Sequence, residues 1–389
     1  MGALAEIREL NRLRLLEELR RVAVADRAEL ARLTGLSRAT VSALVSDFLA
    51  SGALTEAPDP AGTGTPGRPS SLLRLNPRAG VVLGVDFGHR HVRVAVADLA
   101  ASVLAERRVD LELRAGALAA LDVTADLART LLSEAGVARE RVLGAGMGVP
   151  APVDSGEGIV TAAAVLVEWE GIRPGEELRK RLGMPVRVAN DADLGALAEH
   201  VYGAGRGFDD LLYLKLATGI GAGLVLGGRL HSGATGIAGE IGHLCVDPNG
   251  VVCVCGGRGC LAGVASAHAL GRSHGGGLTV MQLLKLAEGG DEEALARLAR
   301  AGRLVGDALG GLCTALNPAA IVLGGELGPA LREAVEARVR ESSLAPTGEI
   351  PVLAATLGDR AGVLGAITLA LQATEWLRDA GFIALTEAA

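Results

Sequence analysis

The chain has 389 residues, of which 49% are hydrophobic and only 2% aromatic, and a net charge of -7. That length and apolar content exclude a disordered chain and allow two or three domains with cores of Ala, Val, Leu and Ile. There is no cationic start followed by an apolar run, and no apolar stretch long enough to cross a bilayer. The expected location is therefore the cytoplasm, with no membrane partner, where five cysteines stay reduced or metal-bound.

The charge is uneven. Residues 1–80 carry 11 Arg against 9 Asp and Glu, a balance of +2, and the remainder carries -9. A slightly basic head on an acidic body suits a nucleic-acid module joined to a soluble domain. Residues 4–22 read as a helix, with Ile7, Leu10, Leu13, Leu16 and Leu19 on or near one side. Asp26 caps a second helix, Arg27–Leu33, Gly35 supplies a turn, and Ser37 caps a third helix, Arg38–Ala50. The third helix has an apolar side of Val41, Leu44, Val45, Phe48 and Leu49. Its other side carries Arg38, Ala39, Thr40, Ser42, Ala43 and Ser46, with no acid and no large hydrophobe. Such a face fits a DNA major groove, although a solvated face on an ordinary helix pair has the same composition. Two short strands, near 53–56 and 72–75, flank a Gly- and Pro-rich tip holding Gly67-Arg68-Pro69. An extended tip of this kind places Arg68 in a minor groove, or else is a plain linker.

Asn76 to Gly80 breaks the pattern and closes a head of residues 1–80. Strands follow at 81–86, 91–97 and 103–113, then a helix near 117–135 and a strand at 142–147. Later come a strand at 211–216, a Gly-rich turn Thr218–Gly223, a strand at 224–226, a helix at 292–316, a strand at 320–323 and a helix at 331–342. The repeated order predicts a duplicated α/β core with a cleft between its halves. A last helix spans 363–380.

His243, Cys253, Cys255 and Cys260 are the most specific chemical signal. Thiolate and imidazole donors separated by glycine turns fold back around one tetrahedral zinc. A set of three Cys and one His leaves no open position, so the expected role is structural. Cys245 and Cys313 read as buried small hydrophobes. At 190–193, Asn-Asp-Ala-Asp stands between a strand and a helix. Asp191 there could take a proton from a sugar hydroxyl, while Asn-Asp is also a plain helix cap. Three Gly-rich turns (86–88, 218–223, 324–326) could surround phosphates, but none has Walker or Rossmann context.

Taken together, Gly239-Glu240-Ile241-Gly242-His243 leading into Cys253, Cys255 and Cys260, the Asn190-Asp191 junction and the Thr218–Gly223 turn resemble the ROK family of repressors, open reading frames and kinases. The likeness runs from residue 81 to about 375, and residues 1–80 resemble the winged helix-turn-helix of ROK repressors of the xylose-repressor type. It implies an actin-like (ribonuclease-H-like) two-lobed ATPase fold, with lobes at 81–189 and 190–362 and the helix 363–380 returning to the first lobe. It also implies a sugar site at Asn190, Asp191, Glu240 and His243, one His243 nitrogen on zinc and the other toward sugar.

Other positions depart from the kinase pattern. His89 and Arg90 replace a Gly-Thr, Ala217 and Glu326 replace glycines, Ala262 replaces a sugar-binding Glu, and Ala164-Val165-Leu166 replaces Pro-Asn-Leu before a cleft tryptophan. The expectation is a sugar-responsive repressor that binds a double-stranded operator as a homodimer or homotetramer, through Ser37, Arg38, Ala39, Thr40, Ser42, Ser46 and Arg68. Zinc is its expected ion, ATP is not expected, and no residue is expected to be catalytic. The alternatives are an ATP-dependent sugar kinase with Asp191 as base, and a ligand-independent repressor with a vestigial cleft.

Overall fold

The computed structural model describes residues 3–57, 71–113, 116–154, 156–161, 166–272, 277–342, 344 and 349–372. Three helices open the chain: α1 (Ala3–Val22), α2 (Arg27–Thr34) and α3 (Arg38–Ala50). Both predicted caps form, with Asp26 accepting from the Glu29 amide at 2.8 Å and Ser37 from the Thr40 amide at 3.1 Å. Strands β1 (Leu54–Ala57) and β2 (Leu72–Leu75) pair antiparallel, Leu54 opposite Leu75. Ala25 exchanges two backbone hydrogen bonds with Leu73, so the helix connection extends this ribbon.

Two five-stranded sheets follow, and their strand orders are equivalent. The first contains β3 (Val81–Gly88), β4 (His91–Asp98), β5 (Val103–Asp110), β6 (Val142–Val149) and β7 (Val186–Asn190), in the order β5-β4-β3-β6-β7. The second contains β8 (Leu211–Leu216), β9 (Ile220–Leu226), β10 (Arg229–Leu230), β11 (Ala320–Gly324) and β12 (Val352–Ala354), in the order β10-β9-β8-β11-β12. Each joins an antiparallel three-strand meander to two parallel strands. Val and Leu fill β3, β8 and β11 because both faces of a central strand are covered.

Helix α4 (Ala117–Glu134) packs on β4 and on α5 (Pro174–Leu182), while α10 (Glu292–Leu316) and α11 (Gly328–Ser342) pack together. Between them lie α6 (Asp191–Tyr202), α7 (Ala262–Ala265), α8 (Ala267–Arg272) and α9 (Val280–Glu288).

The last described helix, α12 (Ala361–Gln372), returns to β3 and β6 and lies against α6. A Cβ on Gly146 of β6 would strike the Ala366 carbonyl of α12, so the helix and sheet backbones meet directly. The predicted continuation to 380 lies outside the described residues.

Some expectations are corrected. The turn at Thr218–Gly223 is shorter than predicted, because β9 already begins at Ile220. Gly221 and Gly223 sit in that strand, and Cβ atoms there would meet Ala192 and Ala196 of α6. Those glycines admit a helix at close range. Strand β5 stops at Asp110, short of Leu113, and α11 begins three residues earlier than expected. Trp169 does not line a cleft: it is fully buried, edge-on to Phe87 at 5.2 Å, with its indole N–H on the Leu113 carbonyl.

The head is packed onto the body. Leu15, Leu16 and Leu19 of α1 share one core cluster with Val82, Ala95, Leu99, Val363 and Leu371. Arg20 Nε donates to the Leu99 carbonyl at 2.9 Å, and Gln372 at the end of α12 donates to Glu17 at 2.6 Å. Glu199, fully buried in α6, accepts from the amides of Ala204, Thr356 and Leu357 at 2.7, 3.0 and 2.9 Å. It ties the last turn of α6 to the segment after β12.

Candidate functional site

Three places carry the residues singled out in the sequence. The first is the outer face of α3. Ser37, Arg38, Ala39, Ser42 and Ser46 are exposed and Thr40 is half-buried, while Val41, Leu44, Val45 and Phe48 are buried. The two faces are therefore divided as the periodicity predicts. The Ser37 and Thr40 hydroxyls lie 2.8 Å apart, and the Ser46 hydroxyl donates back to the Ser42 carbonyl. Asp47 is turned away from this face by an ion pair to Arg8 of α1 at 2.7 Å. Arg68 lies outside the described residues.

The second place is the loop after β10. Gly239 has φ +91°, and a Cβ there would strike the Ala222 carbonyl of β9. Only glycine permits that contact, and the Ala222 amide donates to the Gly239 carbonyl at 2.9 Å. The clamp fixes Glu240 and His243 at the edge of the second sheet. The donor atoms of His243, Cys253, Cys255 and Cys260 all lie within 4.8 Å of one another. Cys253 Sγ is 3.6 Å from His243 Nδ1, and Cys255 Sγ is 3.6 Å from Cys260 Sγ. Donors bound at about 2.0–2.3 Å around one tetrahedral zinc stand roughly 3.5–3.8 Å apart, so the four fit that ion. Cys313 is buried as expected, but Cys245 is exposed. Cys245 pairs through its backbone with Cys260 instead of joining the core.

His243 is two-sided. Nδ1 faces the sulfurs, and Nε2 is 3.8 Å from Glu240 Oε2. A metal on Nδ1 would leave Nε2 as a donor toward Glu240 and the space beside it. A Cβ on Gly242 would lie 3.4 Å from Ala262, which places that replaced position beside the same turn.

The third place is the N-terminus of α6. Asn190 caps the helix, its oxygen accepting from the Ala192 amide at 2.8 Å. Asp191 Oδ2 accepts from Lys215 Nζ of β8 at 2.7 Å. The neighbouring Asp193 is 3% exposed, and its Oδ1 has no hydrogen-bond partner among the described residues. Burial, then the charges of Glu240 and Asp191, raise the Asp193 pKa to about 8. Burial and Asp191 raise Glu240 to about 7. Asp86, buried at the end of β3, is raised to about 6 by desolvation against the pull of Lys215. Perturbed carboxylates facing one another are a common mark of a binding site. Asp191, Asp193 and Glu240 thus sense one another, with His243 beside Glu240.

Lys215, Asp86 and Asp193 were not singled out as site residues. Lys215 is one of only three lysines, but its partner is 24 positions away. Nothing local in the sequence announces that pair.

The model of the ROK family matches residues 82–373. The xylose repressor of Bacillus subtilis (strain 168) is 28% identical over 366 residues, covering 92% of this chain and 94% of that protein. A glucokinase of Thermotoga maritima is 35% identical over 249 residues, covering 58% of this chain and 78% of the glucokinase. Among solved structures, a ROK family transcriptional regulator described as a homologue of the E. coli MLC protein superposes with a TM-score of 0.78. It is 25% identical, covering 97% of this chain and 99% of that one. The regulator likeness thus spans nearly the whole chain, while the glucokinase likeness covers a smaller share. On the span of the family model and the equivalent pair of sheets, the chain belongs to the ROK family.

Proposed function

We propose that this chain is a sugar-responsive DNA-binding transcriptional repressor whose body derives from a sugar kinase. The observation that carries it is the exposed, acid-free face of α3 on a head built into a ROK body, matched nearly end to end by a ROK regulator. Residues 1–80 act as a winged helix-turn-helix. The lobes are 81–189, with the final helix, and 190–362, with the zinc loop 243–260. Two copies place their α3 helices in successive major grooves of one operator, with Ser37, Arg38, Ala39, Thr40, Ser42 and Ser46 toward the bases. Arg68 enters the flanking minor groove. The protein works in the cytoplasm as a homodimer or homotetramer. Among the described residues no helix is long and apolar enough to cross a membrane.

Asn190, Asp191, Glu240 and His243 form the effector site, and zinc on His243, Cys253, Cys255 and Cys260 holds the Glu240 turn in shape. Asp193 joins them, since its free oxygen is an acceptor for a hydroxyl. The path to the head is short. Helix α6 spans 12 residues, about 18 Å, from Asp191 to Tyr202. The Tyr202 hydroxyl lies 3.2 Å from that of Thr368 on α12, and its charge environment includes Arg20 and Glu17 of α1. A ligand that moves the start of α6 is felt where α1 and α12 meet. It switches the head only if it binds the two arrangements with different affinity.

Footprinting of the upstream region of this chain's own gene, with and without pentoses, hexoses and N-acetylhexosamines, tests the proposal. A protected site released by one of them is the expected result; no protected site refutes it. The glucokinase likeness keeps a second function in view, an ATP-dependent sugar kinase with Asp191 as base. Turnover in a coupled ATP assay that Asp191→Asn abolishes would establish it.

A further inference from the structure

Kinases act on phosphates with a divalent cation, so a kinase-derived cleft raises the question of what cation this one holds. The residues here do not fit a metal–nucleotide. Lys215 reaches from β8 across to α6, and its ammonium is 2.7 Å from Asp191 Oδ2. The charges of Asp191 and Asp86 both act on it, outweighing its desolvation. Asp86 is packed under α12, where a Cβ on Gly362 would strike its carboxylate, and its other neighbours include Arg93 and Asp359. The turn after β3 is closed as well, because the His91 ring lies over Gly88 where a Cβ would collide with it. Desolvation, then Arg108, Arg93 and Lys215, depress the His91 pKa to about 4, so it is neutral near pH 7.

We propose that Lys215 is a resident cation, which takes the place of a divalent metal between Asp86 and Asp191 and so makes this a cleft for ligand without nucleotide. Asp86 at the end of β3 and Asp191 after β7 both come from the first sheet, Lys215 comes from the second, and two such carboxylates attract a divalent ion when unpaired. With an ammonium already on one of them, a metal would have to displace it or sit beside a like charge. The same bond fixes what Asp191 can do. One of its oxygens is taken by the ammonium, which leaves the other as an acceptor for a hydroxyl. Near pH 7 Asp193 keeps its proton, but Asp86, Asp191 and a partly ionised Glu240 still outnumber the single lysine, so the cleft suits an uncharged sugar and repels a sugar phosphate. In this it rests on the cleft being a sugar site, but not on operator binding.

The test is Mn2+ titration of the zinc-loaded full chain, followed by electron paramagnetic resonance. The unmodified protein should bind no Mn2+ in the cleft below a concentration on the order of 1 mM. Lys215→Met should gain one Mn2+ site, at least about tenfold tighter, that Asp86→Asn added to it removes. Lys215→Thr is carried in parallel, in case the methionine variant does not fold by circular dichroism. A folded Lys215 variant with no gain overturns the proposal. So does an unmodified protein that binds Mn2+ below that concentration and loses it on Asp86→Asn, whatever the variants do. Neither result bears on the footprint, so failure here and failure of the repressor function are told apart.

Discussion

Replacing Asp193 by Asn should stabilise the protein, and by more as pH rises. The carboxyl is 3% exposed, one oxygen lacks a partner among the described residues, and the side chain is hydrogen-bonded to Ser232. Its pKa rises from 3.8 to about 8, through burial first and then Glu240 and Asp191. The folded state therefore holds this proton more tightly than the unfolded chain does. The stability it contributes is complete below the unfolded value and is lost as pH climbs through the folded value. At 1.36 kcal/mol per pKa unit, the loss reaches about 4 kcal/mol at pH 7 and about 6 kcal/mol above pH 8. Asn keeps the shape and the acceptor for Ser232 without an ionisable proton. Asp193→Asn should exceed wild type by about 2 kcal/mol at pH 5 and about 4 kcal/mol at pH 7 in urea unfolding. Comparing the two proteins at each pH cancels the pH dependence of zinc affinity. A difference that stays constant from pH 5 to 8.5, or an Asn variant less stable than wild type, refutes the reasoning.

Cys255→Ser should lower metal content below one zinc per chain by plasma mass spectrometry, and with it the melting temperature, because three donors no longer close the tetrahedron. Arg38→Ala should lose discrimination between operator and random duplex by about 1–3 kcal/mol in gel-shift titrations, while Ser37→Ala, which removes the cap of α3, lowers stability by about 1 kcal/mol. Glu199→Ala should cost about 3 kcal/mol or more in urea unfolding, since it strands buried amides of Ala204, Thr356 and Leu357. Tyr202→Phe should leave operator affinity intact but weaken its response to sugar, as read by footprinting with and without effector.

Much of this was legible because it is local or periodic. Asp26 and Ser37 announce their helices through the hydroxyl or carboxylate acceptor a first turn needs. The apolar runs at 81–86 and 211–216 announce central strands, and their repeated context predicts the equivalent sheets. The four metal donors are close in sequence, so their spacing alone points to one ion. What escaped is non-local. Gly221 and Gly223 look like turn residues until β9 is seen to contain them and α6 to pack against them. Trp169 looks available for a cleft until Phe87, 82 residues earlier, covers its ring. Lys215 looks like any strand lysine until the second sheet meets the start of α6.

The energy for a switch has to come from groups whose partners change between two arrangements. Moving a population from 1:99 to 99:1 takes about 5.5 kcal/mol of differential binding. Several polar groups along α6 already have a protein partner: Asn190 the Ala192 amide, one Asp191 oxygen Lys215, Glu199 its backbone donors. The exceptions stand at opposite ends of the helix. Asp193 Oδ1, near its start, has no partner among the described residues, and neither has Arg20 Nη2 of α1, buried in the head. A buried polar group left unpaired costs about 1–3 kcal/mol, and more when charged. A sugar hydroxyl donating to Asp193 relieves the first, and a shift of α6 alters what surrounds the second. Two such groups supply a free energy of the size a repressor needs, and both are linked by a helix whose remaining polar contacts hold it rigid.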